Sequence, residues 1–273
     1  MYNRPIHQRL ARNSPNQSSP PPTSPFSLPP VYTQPAAIGV TVVSSKYAEV
    51  AEEAIARFHQ YTGLDVTVIR VKQEPSFAAK LNLDTMVAPR PIVYFDADLW
   101  LLRPYDFTLL AESDRFCAVH CPGAWNPSTF PHADCKANHW DHASYINSGL
   151  FACDLRRPEI QDIFASARAC LEACHQGKLP RPVDWTDQFF FNYALQQRPG
   201  LVRLLPFALN FYKLAVDWGS YPHIPREIIG LHAAGVPSDK KLETLRAQAE
   251  VFGQRTCPMH PEAVAHHFKS RVL

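Results

Sequence analysis

The sequence lacks the features that mark nucleic-acid-binding and membrane-spanning proteins. Its 27 Lys and Arg residues nearly balance its 25 Asp and Glu residues, so the net charge is only +2, and no long basic run is present. Nucleic-acid binding needs several phosphate contacts from basic residues, which this chain does not concentrate anywhere. No stretch approaches the roughly 20 consecutive apolar residues that span a bilayer. We therefore expect no nucleic-acid partner and no transmembrane segment.

Signs of secretion are also missing. The N-terminus carries arginines, but no apolar segment follows them, so a secretory signal peptide is not indicated. The seven scattered cysteines are an odd number and do not resemble a disulfide framework. They fit reduced thiols, which are typical of cytosolic proteins. We expect a cytoplasmic protein.

The first 37 residues differ from the rest of the chain in composition. They are rich in Pro and Ser, and they contain no acidic residue. Such a segment cannot bury enough apolar surface to offset the entropy lost on ordering. We therefore predict a disordered tail over residues 1–37, with a Pro-rich docking site as an alternative, and a folded domain over residues 38–273.

Hydrophobic periodicity in the folded part alternates between strand and helix. An apolar run at 38–43, a helical pattern at 47–61 that stops at Gly63, and a second strand at 64–71 suggest a parallel strand–helix–strand unit. An α/β sheet is thus the predicted architecture. Further strands are predicted at 91–95, 149–155, 201–205 and 228–232, and further helices at 159–175 and 187–197.

The strongest motif lies in the segment PIVYFDADLWLLRP. An apolar strand ends in Asp96-Ala97-Asp98, at the edge of an open α/β sheet where ligands bind. Side chains at positions i and i+2 of an extended segment point to the same side, so both carboxylates can meet one hard cation. Two aspartates that merely cap a turn are the structural alternative.

Three more motifs follow the aspartates in order. YINSGLFACDL contains Asn147-Ser148-Gly149 just before an apolar strand, and VDWTDQFFFNYAL places acidic residues and Gln188 at a helix start. IIGLHAAG places His232 at a strand end, followed by Gly235. Each motif alone has an ordinary structural explanation. Their order and spacing together are harder to explain by chance.

This series of D-x-D, N-S-G, D-Q-x-x-x-N and H-x-x-G resembles the GT-A glycosyltransferases, especially family 8 and related nucleotide-diphospho-sugar transferases. The resemblance implies a Rossmann-like α/β fold with a mixed, mostly parallel sheet flanked by helices. It also implies transfer of a sugar from a nucleotide-diphosphate sugar, such as a UDP-sugar, to an acceptor that the sequence does not identify. Retention of configuration and a Mn²⁺ or Mg²⁺ cofactor are further implications.

The resemblance also implies roles for individual residues. The metal ligands would be Asp96, Asp98 and His232. The donor-binding residues would be Lys80, Ser44, Ser45, Asp96, Ala97, Asn147, Ser148, Gly149, Asp184, Gly235 and Lys240. Asp187 and Gln188 would act at the transferred sugar. The chain departs from family 8 at Ser238, where a diphosphate-contacting lysine is usual, although Lys240 and Lys241 follow closely.

The chemistry of glycosyl transfer favours the same residue types. A divalent cation bridging the phosphates stabilises the leaving diphosphate as a Lewis acid, and carboxylates with a neutral imidazole suit Mn²⁺. In the absence of metal, the only neighbour expected for Asp98 is the like-charged Asp96. We therefore expect loss of the Asp98 carboxylate to reduce activity far more than stability.

Three other functions remain possible. A phosphatase of the haloacid dehalogenase type also uses D-x-D after a strand, but it normally has Thr or Val where this chain has Trp100. A protein that binds a nucleotide sugar without transferring it would retain most of the motifs. A structural zinc site is the third possibility, because the segment before N-S-G is rich in zinc-type ligands. These are Cys117, His120, Cys121, His132, Cys135, His139 and His142.

Overall fold

The computed structural model describes residues 37–72, 77–183, 185–212, 225 and 227–253. The strands are β1 (Ile38–Ser44), β2 (Val66–Val71), β3 (Pro91–Phe95), β4 (Leu99–Leu101), β5 (Phe116–His120), β6 (Ile146–Asp154), β7 (Val202–Leu205) and β8 (Gly230–His232). The helices are α1 (Ala48–Thr62), α2 (Phe77–Lys80), α3 (Leu83–Met86), α4 (Thr108–Ala111), α5 (Phe130–Asn138), α6 (Pro158–His175), α7 (Asp187–Gln196) and α8 (Lys241–Gly253). Apart from Ala37, the predicted disordered tail lies outside the described residues, as does Asp184.

Six strands form the main sheet, in the order β2-β1-β3-β6-β5-β7. The pairs β2–β1, β1–β3 and β5–β7 are parallel, whereas β6 runs antiparallel to both of its neighbours. The predicted parallel strand–helix–strand unit is therefore confirmed. A separate two-stranded sheet pairs β4 with β8.

The central strands are apolar because helices and loops cover both sheet faces. Every residue of β1 and β3 is buried. Alternate residues of β3 belong to opposite cores: Val93 and Phe95 pack with α1, and Ile92 and Tyr94 pack with α6 and α7. The site therefore lies at the carboxyl edge of a sheet that is fixed from both sides.

Helix boundaries follow local sequence signals. Helix α1 ends at Gly63, whose φ of 69° is left-handed and whose N–H donates to the carbonyl of His59 at 2.9 Å. Glycine reaches this conformation without the steric penalty of a side chain, so the predicted stop is confirmed. The predicted helices 159–175 and 187–197 agree within one residue with α6 and α7.

The structure corrects the sequence-based elements in two places. Strand β6 begins at Ile146, so Asn147-Ser148-Gly149 lies inside the strand rather than before it. The segment between the D-x-D and N-S-G motifs, for which no strand or helix was predicted, contains β5 and α5. In β5, the four residues Phe116–Val119 are buried in the sheet, and a run this short does not distinguish a buried strand from other structure by sequence alone.

Candidate active site

The two sheets bring the D-x-D motif and His232 together. The Asp96 N–H donates to the Gly149 carbonyl at 2.8 Å, which fixes the end of β3 against β6. Strand β4 then pairs Leu99 with His232 in β8, and the Ala233 N–H donates to the Asp98 carbonyl at 3.1 Å. Backbone pairing on both sides therefore determines where the acidic motif and the imidazole meet.

Asp96, Asp98 and His232 form a group suited to a divalent cation. His232 Nε2 lies 3.5 Å from Asp96 Oδ2 and 3.4 Å from Asp98 Oδ1. One ligand atom from each residue lies within 4.8 Å of the others, so all three can reach a common ion. Carboxylate oxygens with an imidazole nitrogen match the preferences of Mn²⁺, and carboxylates also suit Mg²⁺.

Each aspartate presents one oxygen to this group and gives the other to a buried lysine. Lys80 Nζ lies 2.9 Å from Asp96 Oδ1, which also accepts a hydrogen bond from the Tyr94 hydroxyl at 2.8 Å. The Lys241 ammonium pairs with Asp98 Oδ2 and donates to the Ala233 carbonyl at 2.7 Å. The oxygens nearest His232 are the ones that the lysines do not occupy, so these oxygens remain available to a cation.

These contacts fix the charge state of the site. Burial alone would lower the pKa of Lys80, but Asp187 and Asp96 together raise it above its ordinary value. Burial would raise the pKa of Asp98, but His232 in its protonated form and the Lys241 ammonium hold it well below its ordinary value. Burial, together with Asp96, raises the pKa of Tyr94. At neutral pH the site therefore contains ionised Asp98, an ammonium at Lys80 and a neutral, hydrogen-donating Tyr94.

The Lys241 contact revises the stability expectation for Asp98. The side chains of Lys241 and Asp98 are only 6% and 11% exposed. Loss of the Asp98 carboxylate would leave a buried ammonium without its counter-charge, which is a strongly destabilising change. The earlier expectation considered only repulsion from Asp96, because nothing in the sequence pairs Asp98 with a residue so far along the chain.

A third carboxylate extends the site beyond the cation ligands. Asp187, at the start of α7, lies 2.7 Å from Lys80 Nζ and accepts a hydrogen bond from the Ser148 hydroxyl. Lys80 thus connects the D-x-D motif to the D-Q motif through Asp96 and Asp187. Gln188, the next residue, approaches the Cys121 sulfur at 3.8 Å.

Gly149 allows His232 to lie against β6. A Cβ added at Gly149 would collide with His232 Cε1 and come within 2.8 Å of its Nδ1. The His232 ring is also held by Asn210, whose Oδ1 lies 2.8 Å from His232 Nδ1. The glycine of the N-S-G motif is therefore needed for the close approach of the imidazole to the strand.

A cleft of about 860 Å³ opens over these groups. This volume is in the range of sites that bind small molecules and cofactors. Most of the predicted site residues line it, namely Asp96, Ala97, Asp98, Asn147, Ser148, Gly149, Asp187, Gln188, His232 and Gly235. Val42 of β1 and the following residues Lys46 and Tyr47 line one part of the cleft, and Phe130 and Pro131 of α5 line another.

The remaining predicted residues lie elsewhere. Ser44 is buried in β1 and Ser45 is exposed, and neither lines the cleft. Lys80 is buried behind Asp96 and acts on the site through its two carboxylate partners. Lys240 is exposed and does not line the cleft, whereas Lys241 does.

Several site residues were missed from the sequence. Asn210 and Lys241 contact the metal-binding group from distant parts of the chain, and Tyr94 contacts Asp96 from within its own strand. The alternation of β3 could have found Tyr94, because residues two apart share a face. No local pattern marks Asn210, and nothing in the sequence distinguishes Lys241 from the adjacent Lys240.

The cysteine- and histidine-rich segment contributes mainly to packing. Cys121 and Cys135 form a small buried cluster with Ala124 and Tyr145. His120 Nε2 lies 3.1 Å from the His142 carbonyl, and burial raises the pKa of Cys135 to about 12. Among the residues that the structure describes, the side chains of this segment do not come together as a metal-binding group.

The comparisons with known proteins agree with this architecture. The sequence matches no protein-family model and no curated protein. The galactosyltransferase LgtC, in complex with donor and acceptor sugar analogues, aligns with a TM-score of 0.53 and 14% identity over 75% of this chain and 94% of its own. A glycosyltransferase involved in glycosylation of the PBCV-1 major capsid aligns with a TM-score of 0.53 and 12% identity over 78% of this chain and 99% of its own. Mouse xyloside xylosyltransferase 1 aligns with a TM-score of 0.52 and 10% identity over 73% of this chain and 98% of its own.

These similarities establish the fold. Identities this low carry no information about substrate, but the structural alignment covers nearly the whole length of each of the three enzymes. No helix among the described residues is long and apolar enough to cross a membrane. The predicted GT-A fold is confirmed, because the chain shares its architecture with these glycosyltransferase structures.

Proposed function

We propose that the protein is a metal-dependent glycosyltransferase that moves a sugar from a nucleotide-diphosphate sugar, in particular a UDP-sugar, to an acceptor. The observation that carries this proposal is the arrangement of Asp96, Asp98 and His232 at the floor of the cleft, with one oxygen of each aspartate held by a lysine. The fold is shared with glycosyltransferases of known structure, and the site lies where an α/β sheet binds ligands.

Asp96, Asp98 and His232 would hold Mn²⁺ or Mg²⁺. The bound cation would stabilise the negative charge that develops on the leaving diphosphate. Lys241 lies beside Asp98 and lines the cleft, so its ammonium is available near the same charge. We assign to Lys241 the diphosphate role that the sequence suggested for Lys240.

Two parts of the cleft suit different parts of the donor. Tyr47 follows β1 in the cleft wall, and the ammonium groups of Lys46 and Lys241 lie over its ring, 5.0 and 5.5 Å from the centroid, so this part would attract the anionic nucleotide. Asn147, Asp187 and Gln188 line the region near the aspartates and would contact the transferred sugar. Hydroxyl-binding groups of this kind position an oxocarbenium-like transition state. Retention of configuration is part of the proposal, by resemblance to family 8.

We place the protein in the cytoplasm. The six cysteines among the described residues are all free and buried. This agrees with a reducing compartment, in which disulfides are rare.

A panel of nucleotide sugars tests the function. Melting temperature is measured for UDP-, GDP- and other nucleotide sugars with and without Mn²⁺, because a ligand stabilises the native state only if it binds that state. We expect a UDP-sugar to raise the melting temperature only in the presence of the cation. Release of free nucleotide is then followed for the donor that binds.

The outcome separates this function from its alternatives. Stabilisation without nucleotide release, even with a range of acceptors, would indicate a binding protein that lacks transfer activity. No stabilisation by any nucleotide sugar would refute the donor assignment. One zinc per chain in protein purified without added metal, lost with Cys121→Ser, would instead indicate a structural zinc site.

A further inference from the structure

A chain of hydrogen bonds connects the backbone of β6 to His232. The Gly149 N–H donates to Asn147 Oδ1 at 2.8 Å, and Asn210 Nδ2 donates to the same oxygen at 2.8 Å. Asn210 Oδ1 lies 2.8 Å from His232 Nδ1. Asn210 is fully buried, and Asn147 and His232 are 7% and 6% exposed, so water does not compete for these bonds.

The Gly149 N–H determines which group donates and which accepts in each of these hydrogen bonds. A peptide N–H can only donate, so the side-chain group of Asn147 that faces Gly149 must be its oxygen. That oxygen can only accept, so Asn210 must face it with its NH₂ group. Asn210 therefore turns its own oxygen toward His232, and the ring must carry its proton on Nδ1.

The consequence appears at the other ring nitrogen. With the proton on Nδ1, the lone pair of a neutral imidazole lies on Nε2, which faces Asp96 and Asp98. The opposite tautomer would place an N–H on Nε2, where it could donate to either carboxylate. The acidic neighbours thus favour the tautomer that cannot bind metal, and Asn210 opposes them.

We propose that Asn210 is a positioning residue that holds His232 in the Nδ1–H tautomer, so that Nε2 is ready to bind the metal. This inference rests on the proposed metal-dependent function for its purpose. The tautomer itself is a property of the metal-free protein. Asn210 touches neither the metal-binding oxygens nor the cleft, and it acts only through His232.

The tautomer can be measured directly by ¹⁵N NMR of imidazole-labelled, metal-free protein with the rings neutral. The His232 signals are assigned by their loss in His232→Gln. We expect wild type to show protonated Nδ1, and Asn210→Leu, which has similar volume but no acceptor, to shift toward protonated Nε2. The Mn²⁺ dissociation constant, measured by calorimetry, should rise by roughly tenfold or more, as is typical for loss of an outer-shell partner.

Two further variants separate positioning from stability. Asn210→Asp keeps an oxygen facing Nδ1, so it should retain the Nδ1–H tautomer and bind Mn²⁺ more tightly than Asn210→Leu. Asn192→Leu is the matched control, because Asn192 is also a fully buried amide, which bonds the backbone at Ile146 and Gln188 without touching His232. It should lower the melting temperature but leave the tautomer unchanged.

The inference is overturned if Asn210→Leu keeps the wild-type tautomer and Mn²⁺ affinity while only its melting temperature falls. If Asn210→Leu does not fold, Asn210→Asp alone decides: an Nε2–H tautomer in that variant would contradict the proposal. Failure of wild type to bind Mn²⁺ would refute the proposed function instead, and the NMR measurement would still decide the role of Asn210.

Discussion

Replacement of Asp98 by asparagine tests the metal site and the buried ion pair in one experiment. Asparagine preserves the shape of the side chain but removes its charge. The Lys241 ammonium, whose side chain is 6% exposed, would then lose its counter-charge and keep the Ala233 carbonyl, a neutral amide and the Tyr47 ring as neighbours. Breaking a buried pair by removing one partner typically costs about 3–5 kcal/mol of unfolding free energy. We expect about 3 kcal/mol, because the change also relieves repulsion from Asp96.

The assay is urea unfolding of metal-free protein, followed by circular dichroism. Lys241→Met should cost a similar amount, since it leaves the Asp98 carboxylate buried without its cation. The double variant Asp98→Asn/Lys241→Met removes both charges. It should lose less than the sum of the single variants, with a coupling free energy of up to about 3 kcal/mol.

Function should respond differently from stability. Asp98→Asn weakens a metal ligand, so nucleotide-sugar turnover should fall on the order of a hundredfold, equivalent to roughly 3 kcal/mol of transition-state stabilisation. Asp84→Asn is the matched control, because Asp84 is a buried carboxylate that pairs with Arg168 outside the cleft. It should lower stability but keep the melting-temperature increase produced by donor with Mn²⁺.

Two results would refute this reasoning. An unfolding free energy of Asp98→Asn within about 0.5 kcal/mol of wild type would show that the pair with Lys241 contributes little, as for a solvent-exposed ion pair. Near-normal turnover by Asp98→Asn would remove Asp98 from the metal site, whatever its effect on stability.

Four further outcomes are expected. Gly149→Ala should displace the His232 ring and weaken Mn²⁺-dependent donor binding by about tenfold or more. Gly200→Ala is the control, because a Cβ at Gly200 meets no atom within 4 Å, and calorimetry should show unchanged donor affinity for it. Phe130→Ala should raise the acceptor KM without changing donor hydrolysis, because Phe130 is 63% exposed in the cleft wall; steady-state kinetics decides. Excess EDTA should abolish donor binding in calorimetry, and equal affinity would contradict the metal requirement. Deletion of residues 1–35 should leave transfer unchanged, and loss of activity in a folded product would assign the segment a function.

The strands and helices near the site could be predicted because their signals are local. The apolar run before Asp96, the helical periodicity of α6 and the glycine stop at Gly63 each depend on a few neighbouring residues. Asp96, Asp98 and His232 were found for a related reason. Each stands at the end of a short apolar strand, where a polar side chain is conspicuous.

The residues that hold the site in place could not be predicted in this way. Lys241 pairs with Asp98 across 143 positions, and Asn210 reaches Asn147 across 63. These contacts depend on the backbone pairing of β8 with β4 and with Phe211, which forms only after the chain has folded. An isolated lysine or asparagine has no periodic pattern, so its partner is set by tertiary structure alone.

The charges of the folded site explain why a cation and an anionic donor would bind together. Asp96, Asp98 and Asp187 supply three carboxylates, and Lys80 and Lys241 supply two ammonium groups. With His232 neutral, these groups leave one net negative charge, which disfavours a diphosphate in a partly buried cleft. A divalent cation reverses the sign to one net positive charge. The two lysines thus limit the repulsion between the aspartates in the metal-free fold, and a divalent cation would add the positive charge that makes these groups together attract a diphosphate.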